Sequence, residues 1–223
     1  MGHDITLTAD DGFQLGAYRA EPSGAAAASV VVIQEIFGVN YHIRAVCDRF
    51  AAQGYRAIAP AIFDRIERNF QSGYSPEEIA TARKFVANPD WDAMLRDTKA
   101  AIDAVKAEGP VGIIGYCLGG SVAYLAAARL DGLSAAIGYY GGAIVRFADE
   151  APKVPTQLHF GEKDSGIPLT DVETIRSKRP EVDIHVYLEA QHGFSCDERA
   201  SFDKQSSDRA WQRSLDFFGT YLK

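Results

Sequence analysis

Apolar and polar positions along this chain switch repeatedly between a period of two and a period near 3.6. Residues 5–9 and 13–18 alternate around Asp10-Asp11-Gly12, which predicts a β-hairpin. Residues 29–33, Ser-Val-Val-Val-Ile, are apolar and mostly β-branched, as in a strand covered on both faces. From His42 to Gln53 the positions Ile43, Val46, Cys47, Phe50 and Ala51 share one side of a helix that Gly54 ends. Residues 55–60 read as the next strand. Residues 61–75 show no clear period and predict a loop of a length that is often functional. Ser75-Pro76-Glu77-Glu78 offers an N-cap, a proline in the first turn and acidic first-turn residues, so a helix starts there. Asn88-Pro89-Asp90 breaks it. A second amphipathic helix follows over 90–108, stopped by Gly109-Pro110. Further strands are predicted at 111–116, 133–140, 156–161 and 182–188. Further helices are predicted after 117, from 169 to about 177, and over 207–221, where Trp211, Leu215 and Phe218 share a face.

Strands alternating with helices predict an α/β fold: a mostly parallel central sheet covered by helices on both faces, in one domain over 1–223. The 223 residues, 47% of them hydrophobic, can fill a sizeable core. A net charge of −7 without a basic run argues against nucleic acid and acidic membranes as partners. No apolar run approaches the ~18 residues of a membrane span, and the first residues do not read as a secretory signal. The three cysteines, Cys47, Cys117 and Cys196, fit a reducing compartment better than a disulfide framework. A cytoplasmic monomer is the expectation.

The chemistry gathers around Gly115-Tyr116-Cys117-Leu118-Gly119-Gly120, between a buried strand and a helix. A reactive residue at the apex of such a turn is raised above the sheet beside a helix N-terminus. Its neighbours two positions away must be small, and Gly115 and Gly119 are. Here the apex residue is a cysteine. In parallel sheets, ligands sit beyond the carboxyl ends of the strands. That rule selects Cys117, Asp164 just past strand 156–161, His192 just past strand 182–188, and Glu35 at the end of strand 29–33. Of the five histidines, His3 is near the terminus, His42 opens a helix, and His159 and His185 lie inside strands. Only His192 stands in a loop beyond a strand end.

The order nucleophile, acid, histidine is that of the α/β-hydrolase arrangement. An imidazole takes the thiol proton, a carboxylate fixes its tautomer, and the backbone N–H groups of Leu118 and Ile36 are placed to stabilise an oxyanion.

With these residues in view, the chain resembles the dienelactone hydrolase (carboxymethylenebutenolidase) family of α/β-hydrolases. The matching stretches are Gln34-Glu35-Ile36-Phe37-Gly38-Val39-Asn40, Gly115-Tyr116-Cys117-Leu118-Gly119-Gly120 and Gly138-Tyr139-Tyr140-Gly141, with the settings of Asp164 and His192. The resemblance implies a Cys–His–Asp triad of Cys117, His192 and Asp164, and a glutamate, Glu35, that contacts the nucleophile and helps ionise it. It implies a small-molecule ester or lactone substrate and neither a metal nor an organic cofactor. Phe37 and Tyr139 are further candidates for binding substrate. The two arginines that clamp a substrate carboxylate in the family fall here at Ile79 and Cys196. Arg83 is the expected substitute, with Arg199 or Lys163 as others, and Cys196 is expected near the pocket mouth. A His192–Cys196 pair could be half a metal site, but no partners for it are evident in the sequence. Hydrolysis through an acyl-thioester competes with acyl transfer or thioesterase activity on the same residues, and with a non-catalytic binding role.

Overall fold

A computed structural model describes residues 2–223. The predicted hairpin forms as β1 (His3–Thr8) and β2 (Gln14–Ala20), paired antiparallel. β3 (Ser29–Ile33), α1 (Tyr41–Ala52), β4 (Arg56–Pro60), α2 (Pro76–Phe85), α3 (Trp91–Val105), β5 (Val111–Tyr116) and α4 (Leu118–Arg129) follow. Then come β6 (Ala135–Tyr139), β7 (Thr156–Gly161), α5 (Leu169–Lys178), β8 (Asp183–Tyr187) and α6 (Lys204–Tyr221). The eight strands form one sheet in the order β1-β2-β4-β3-β5-β6-β7-β8, parallel from β4 to β8. No described helix is long and apolar enough to cross a membrane.

The central strands are buried at every position because both faces are covered. Val30 and Val32 of β3 join Ile114 and Tyr116 of β5 in a core with Phe50 of α1 and Phe218 of α6. Val31, Ile33 and Ile113 point the other way, onto Ile102 of α3 and Val122 and Leu125 of α4. The period-two alternation of strand side chains thus feeds two cores, one on each side of the sheet.

α2 begins with a reciprocal cap. Glu78 N–H donates to Ser75 Oγ, and the Glu78 carboxylate accepts from the Ser75 and Gly73 N–H groups. α6 starts three residues before the predicted 207, because Asp203 Oδ1 accepts from Gln205 and Ser206 N–H and caps the helix there.

Residues 61–75 form a strap that is tied to the body at several points. Asp64, buried, accepts from Gly16 and Asn69 N–H. Arg65 donates to both carboxylate oxygens of Asp97 on α3. Phe70 packs on Phe85 with ring centroids 4.1 Å apart. The loop expected from the missing periodicity is present; what holds it is a set of specific anchors rather than a repeating pattern.

Candidate active site

β5 runs into Cys117, whose backbone takes φ 55° and ψ −115° before α4 begins. A non-glycine residue with positive φ is strained, and such strain persists only where the surroundings fix it. Here they do. The Cys117 N–H donates to Tyr139 O, and Cys117 O accepts from Gly120 N–H. The two small residues are required. A Cβ on Gly115 would lie 1.9 Å from Gly119 O, and one on Gly119 would lie 2.3 Å from Ile33 O. α4 therefore packs backbone to backbone against β3 and β5, which sets the height of the sulfur.

The loops after β7 and β8 bring the other two groups. His192 Nε2 is 3.2 Å from Cys117 Sγ, and His192 Nδ1 is 2.7 Å from Asp164 Oδ2. Asp164 is buried and its other oxygen accepts from Gly166 N–H, which fixes the carboxylate. The imidazole is steadied further by Tyr140, whose ring centroid lies 5.1 Å from that of His192. Ser201 Oγ donates to His192 O. Burial works against a charge on the His192 ring. The negative charge available at the Cys117 sulfur and the hydrogen bond to Asp164 outweigh it, raising the ring from 6.5 to about 10.

A cleft of about 330 Å³ opens over the sulfur. Ile36, Cys117, Leu118 and His192 form its floor, and Val86, Ala87, Pro89, Trp91 and Ile167 its apolar walls. Ile36 and Leu118 thus border the sulfur, and neither N–H is spent on a turn, loop or cap hydrogen bond. The cleft is apolar with few polar groups, the usual make-up of a small-molecule site. Arg146, in the 3-10 turn after β6, is the one lysine or arginine lining it among the described residues.

Other expected residues lie elsewhere. Glu35 is buried, and no hydrogen bond joins it to Cys117 among the described residues. Its Oε1 accepts from Arg199 Nη1 at 3.2 Å and its Oε2 from the Tyr74 hydroxyl at 3.2 Å. Arg83 is exposed on α2 and does not line the cleft, because Ala82 is the α2 residue turned into the protein and Arg83 is a third of a turn round from it. Tyr139 is 1% exposed and points to the opposite side of the sheet, where its hydroxyl meets Ser214 of α6. Phe37 is turned inward, its ring against Tyr74. Lys163 pairs with Glu162 and Glu189 at the surface. Cys196 is fully buried rather than at a mouth, and burial beside Glu35 pushes its thiol up to about 12. Ile79, with Tyr74 and Arg199, lines a second, separate cleft.

Sequence reasoning passed over Arg146, Trp91 and Tyr140. Trp91 was available as the residue at a helix start after Asn88-Pro89-Asp90. Tyr140 adopts φ 39°, a conformation that a Tyr-Tyr-Gly sequence does not announce.

Residues 15–222 match the family described as the Dienelactone hydrolase family. The chain belongs to the dienelactone hydrolase family. This hydrolase is 39% identical over 231 residues to the Synechocystis sp. protein named "Putative carboxymethylenebutenolidase", covering 94% of this chain and 93% of that one. It is 31% identical over 223 residues to the carboxymethylenebutenolidase of Pseudomonas putida, covering 96% and 94%. Its fold superposes on the crystal structure of "Putative Dienelactone Hydrolase" from Klebsiella pneumoniae with a TM-score of 0.87 and 30% identity, covering 99% of this chain and 100% of that one. The α/β-hydrolase fold read from the sequence is therefore the fold observed, and the hydrolase is an enzyme of the dienelactone hydrolase type.

Proposed function

We propose that this hydrolase cleaves carboxylic esters or lactones through Cys117, His192 and Asp164, by way of an acyl-thioester. The observation that carries this reading is the unbroken chain of contacts from Sγ to Nε2 and from Nδ1 to a buried carboxylate, 3.2 and 2.7 Å long, ending on a strained elbow. His192 takes the thiol proton, and the thiolate attacks the acyl carbon. The Leu118 and Ile36 N–H groups receive the oxyanion, each worth ~3 kcal/mol in the transition state. Collapse breaks the carbon–oxygen bond, and the imidazolium gives its proton to the leaving oxygen. The sulfur is now uncharged, so the strongest influence raising the ring is gone. His192 can then act as base toward water, whose attack on the thioester releases the acid and restores the thiol. Glu35 is held by Arg199 and Tyr74, so ionisation of the thiol is assigned to His192 alone.

The pH dependence tests this reading. His192 must hold a proton to release the leaving group, and its ring is raised rather than lowered. Proton binding at His192 thus favours the folded, paired state fully below ~6.5, and that contribution is lost as pH rises through about 10. kcat/KM for an enol lactone with a poor leaving group is expected to stay level through neutral pH and to fall only as pH approaches about 10. An alkaline limb centred near ~6.5, the value of an unpaired histidine, would count against the thiolate–imidazolium pair.

Arg146 gives the cleft one positive charge at its rim. We assign it the carboxylate of an acidic substrate. Arg146→Ala is expected to raise KM about tenfold for a carboxylate-bearing lactone, with kcat little changed and a neutral aryl ester unaffected. Equal losses on both substrates would remove Arg146 from this role.

A further inference from the structure

Three buried groups meet beside the Glu35–Arg199 pair, and none of them hydrogen-bonds the Cys117 sulfur. One donor atom from each of Glu35, His42 and Cys196 lies within 4.8 Å of the other two. His42 comes from α1, where it opens the helix, and Cys196 from the loop after His192. In the sequence Cys196 stands four residues after His192; in the fold it lies with Glu35 and His42.

The state of His42 singles this cluster out. Its side chain is 4% exposed, and Nδ1 lies 3.3 Å from Asp197 Oδ1. Nε2 is buried and has no hydrogen-bond partner; among the described residues the only other such side-chain atom is Gln34 Oε1. A buried polar atom without a partner carries an uncompensated desolvation penalty and calls for a ligand or a reason. A carboxylate on one ring nitrogen and a free second nitrogen is the arrangement of a metal-ligating histidine, in which the outer carboxylate fixes the tautomer.

We propose that Glu35, His42 and Cys196 form a binding site for a divalent cation of the zinc type, separate from Cys117 and His192. The donor set supports that class. Imidazole nitrogen with thiolate sulfur suits zinc, whereas magnesium and calcium take oxygen ligands. Ligand bonds of about 2.0–2.3 Å require the three side chains to close by on the order of 1 Å, with water completing a tetrahedron. Binding breaks the Cys196 S–H bond, forms the sulfur–metal bond and sends the proton to solvent. The charges balance: the cation and Arg199 face the Cys196 thiolate, Glu35 and Asp197. A cleft adjoins the cluster. Tyr74 and Arg199, both hydrogen-bonded to Glu35, line an open cleft of about 490 Å³ with Gln191 and Glu198. Swinging the Arg199 guanidinium outward frees Glu35 Oε1 and opens the way in.

Titration of the full chain with Co²⁺ and Zn²⁺ tests the site without reference to turnover. One equivalent of Co²⁺ is expected to bind with release of one proton and a thiolate-to-cobalt charge-transfer band, and Zn²⁺ is expected to displace it with no further proton released. Cys117→Ala keeps the band, while Cys196→Ser and His42→Gln lose it. Because those two positions are buried, Asp197→Asn supplies a variant at an exposed residue. It keeps all three ligands and is expected to weaken affinity about 10–100-fold through the His42 tautomer. Absence of the band in the unaltered protein overturns the proposal. So does a band that survives Cys196→Ser, or one that disappears in Cys117→Ala, which would place the metal at the hydrolytic cysteine.

Discussion

Cys117→Ala is expected to lower kcat for ester or lactone hydrolysis roughly 10⁴-fold or more while leaving the fold intact. The magnitude follows from removing the one atom that forms the covalent intermediate of the proposed mechanism; residues of such a triad act as a unit, and what would remain is stabilisation by the backbone N–H groups and by binding. The fold should survive because alanine loses only a sulfur that already faces a cleft. The other two thiols serve as controls. Cys47 faces the core from α1, and burial pushes its thiol up. Cys196 is buried beside Glu35 and is likewise raised. Alanine at Cys47 should cost stability without removing chemistry. Steady-state kinetics and a thermal melt on Cys117→Ala and Cys47→Ala separate the two effects. Retention of most activity in Cys117→Ala would end the covalent reading.

Gly119→Ala is the second large effect, and it acts on stability and activity together. The added methyl would sit 2.3 Å from Ile33 O and 2.5 Å from Gln34 O, both backbone atoms that cannot rotate aside. α4 must move away from β3, against a close-packed interior. Overpacking of this kind costs on the order of 3 kcal/mol, or roughly 6–12 °C in Tm for a domain of this size. The same displacement shifts the elbow against the loop carrying Ile36, so the proposed oxyanion donors and the sulfur lose register. kcat should fall in the protein that remains folded at low temperature. A variant that melts with the parent and hydrolyses at the parent rate would show that the close approach at Gly119 is not what positions the elbow.

Much of this architecture was open to reading from residues alone, for identifiable reasons. The strands at 29–33 and 111–116 could be placed because a strand covered on both faces is an almost unbroken apolar run. The elbow could be read because its steric demand is local: it falls on Gly115 and Gly119, two residues either side of Cys117. The sheet-end rule then selected Asp164 and His192 from many acids and five histidines. What stayed hidden depends on distant parts of the chain. His42 and Asp197 are 155 positions apart, and Glu35 and Arg199 are 164 apart. No local pattern foretells either pair. Tyr139 was misassigned because its neighbourhood is right while its direction is wrong. Position 139 falls on the α6 side of the strand, and Tyr140, one step on, turns back toward His192. Arg146 was missed because a 3-10 turn of four residues has no period to read.

The most direct test of the central claim is the mass of the protein quenched in acid during turnover of a slowly hydrolysed aryl ester. An acyl group is expected on the peptide that contains Cys117, appearing within the first turnover, slow to form in His192→Gln because the thiol then lacks its base, and absent from Cys117→Ala. Steady hydrolysis with the acyl group on another residue, or with none on Cys117 at any time, would contradict the account.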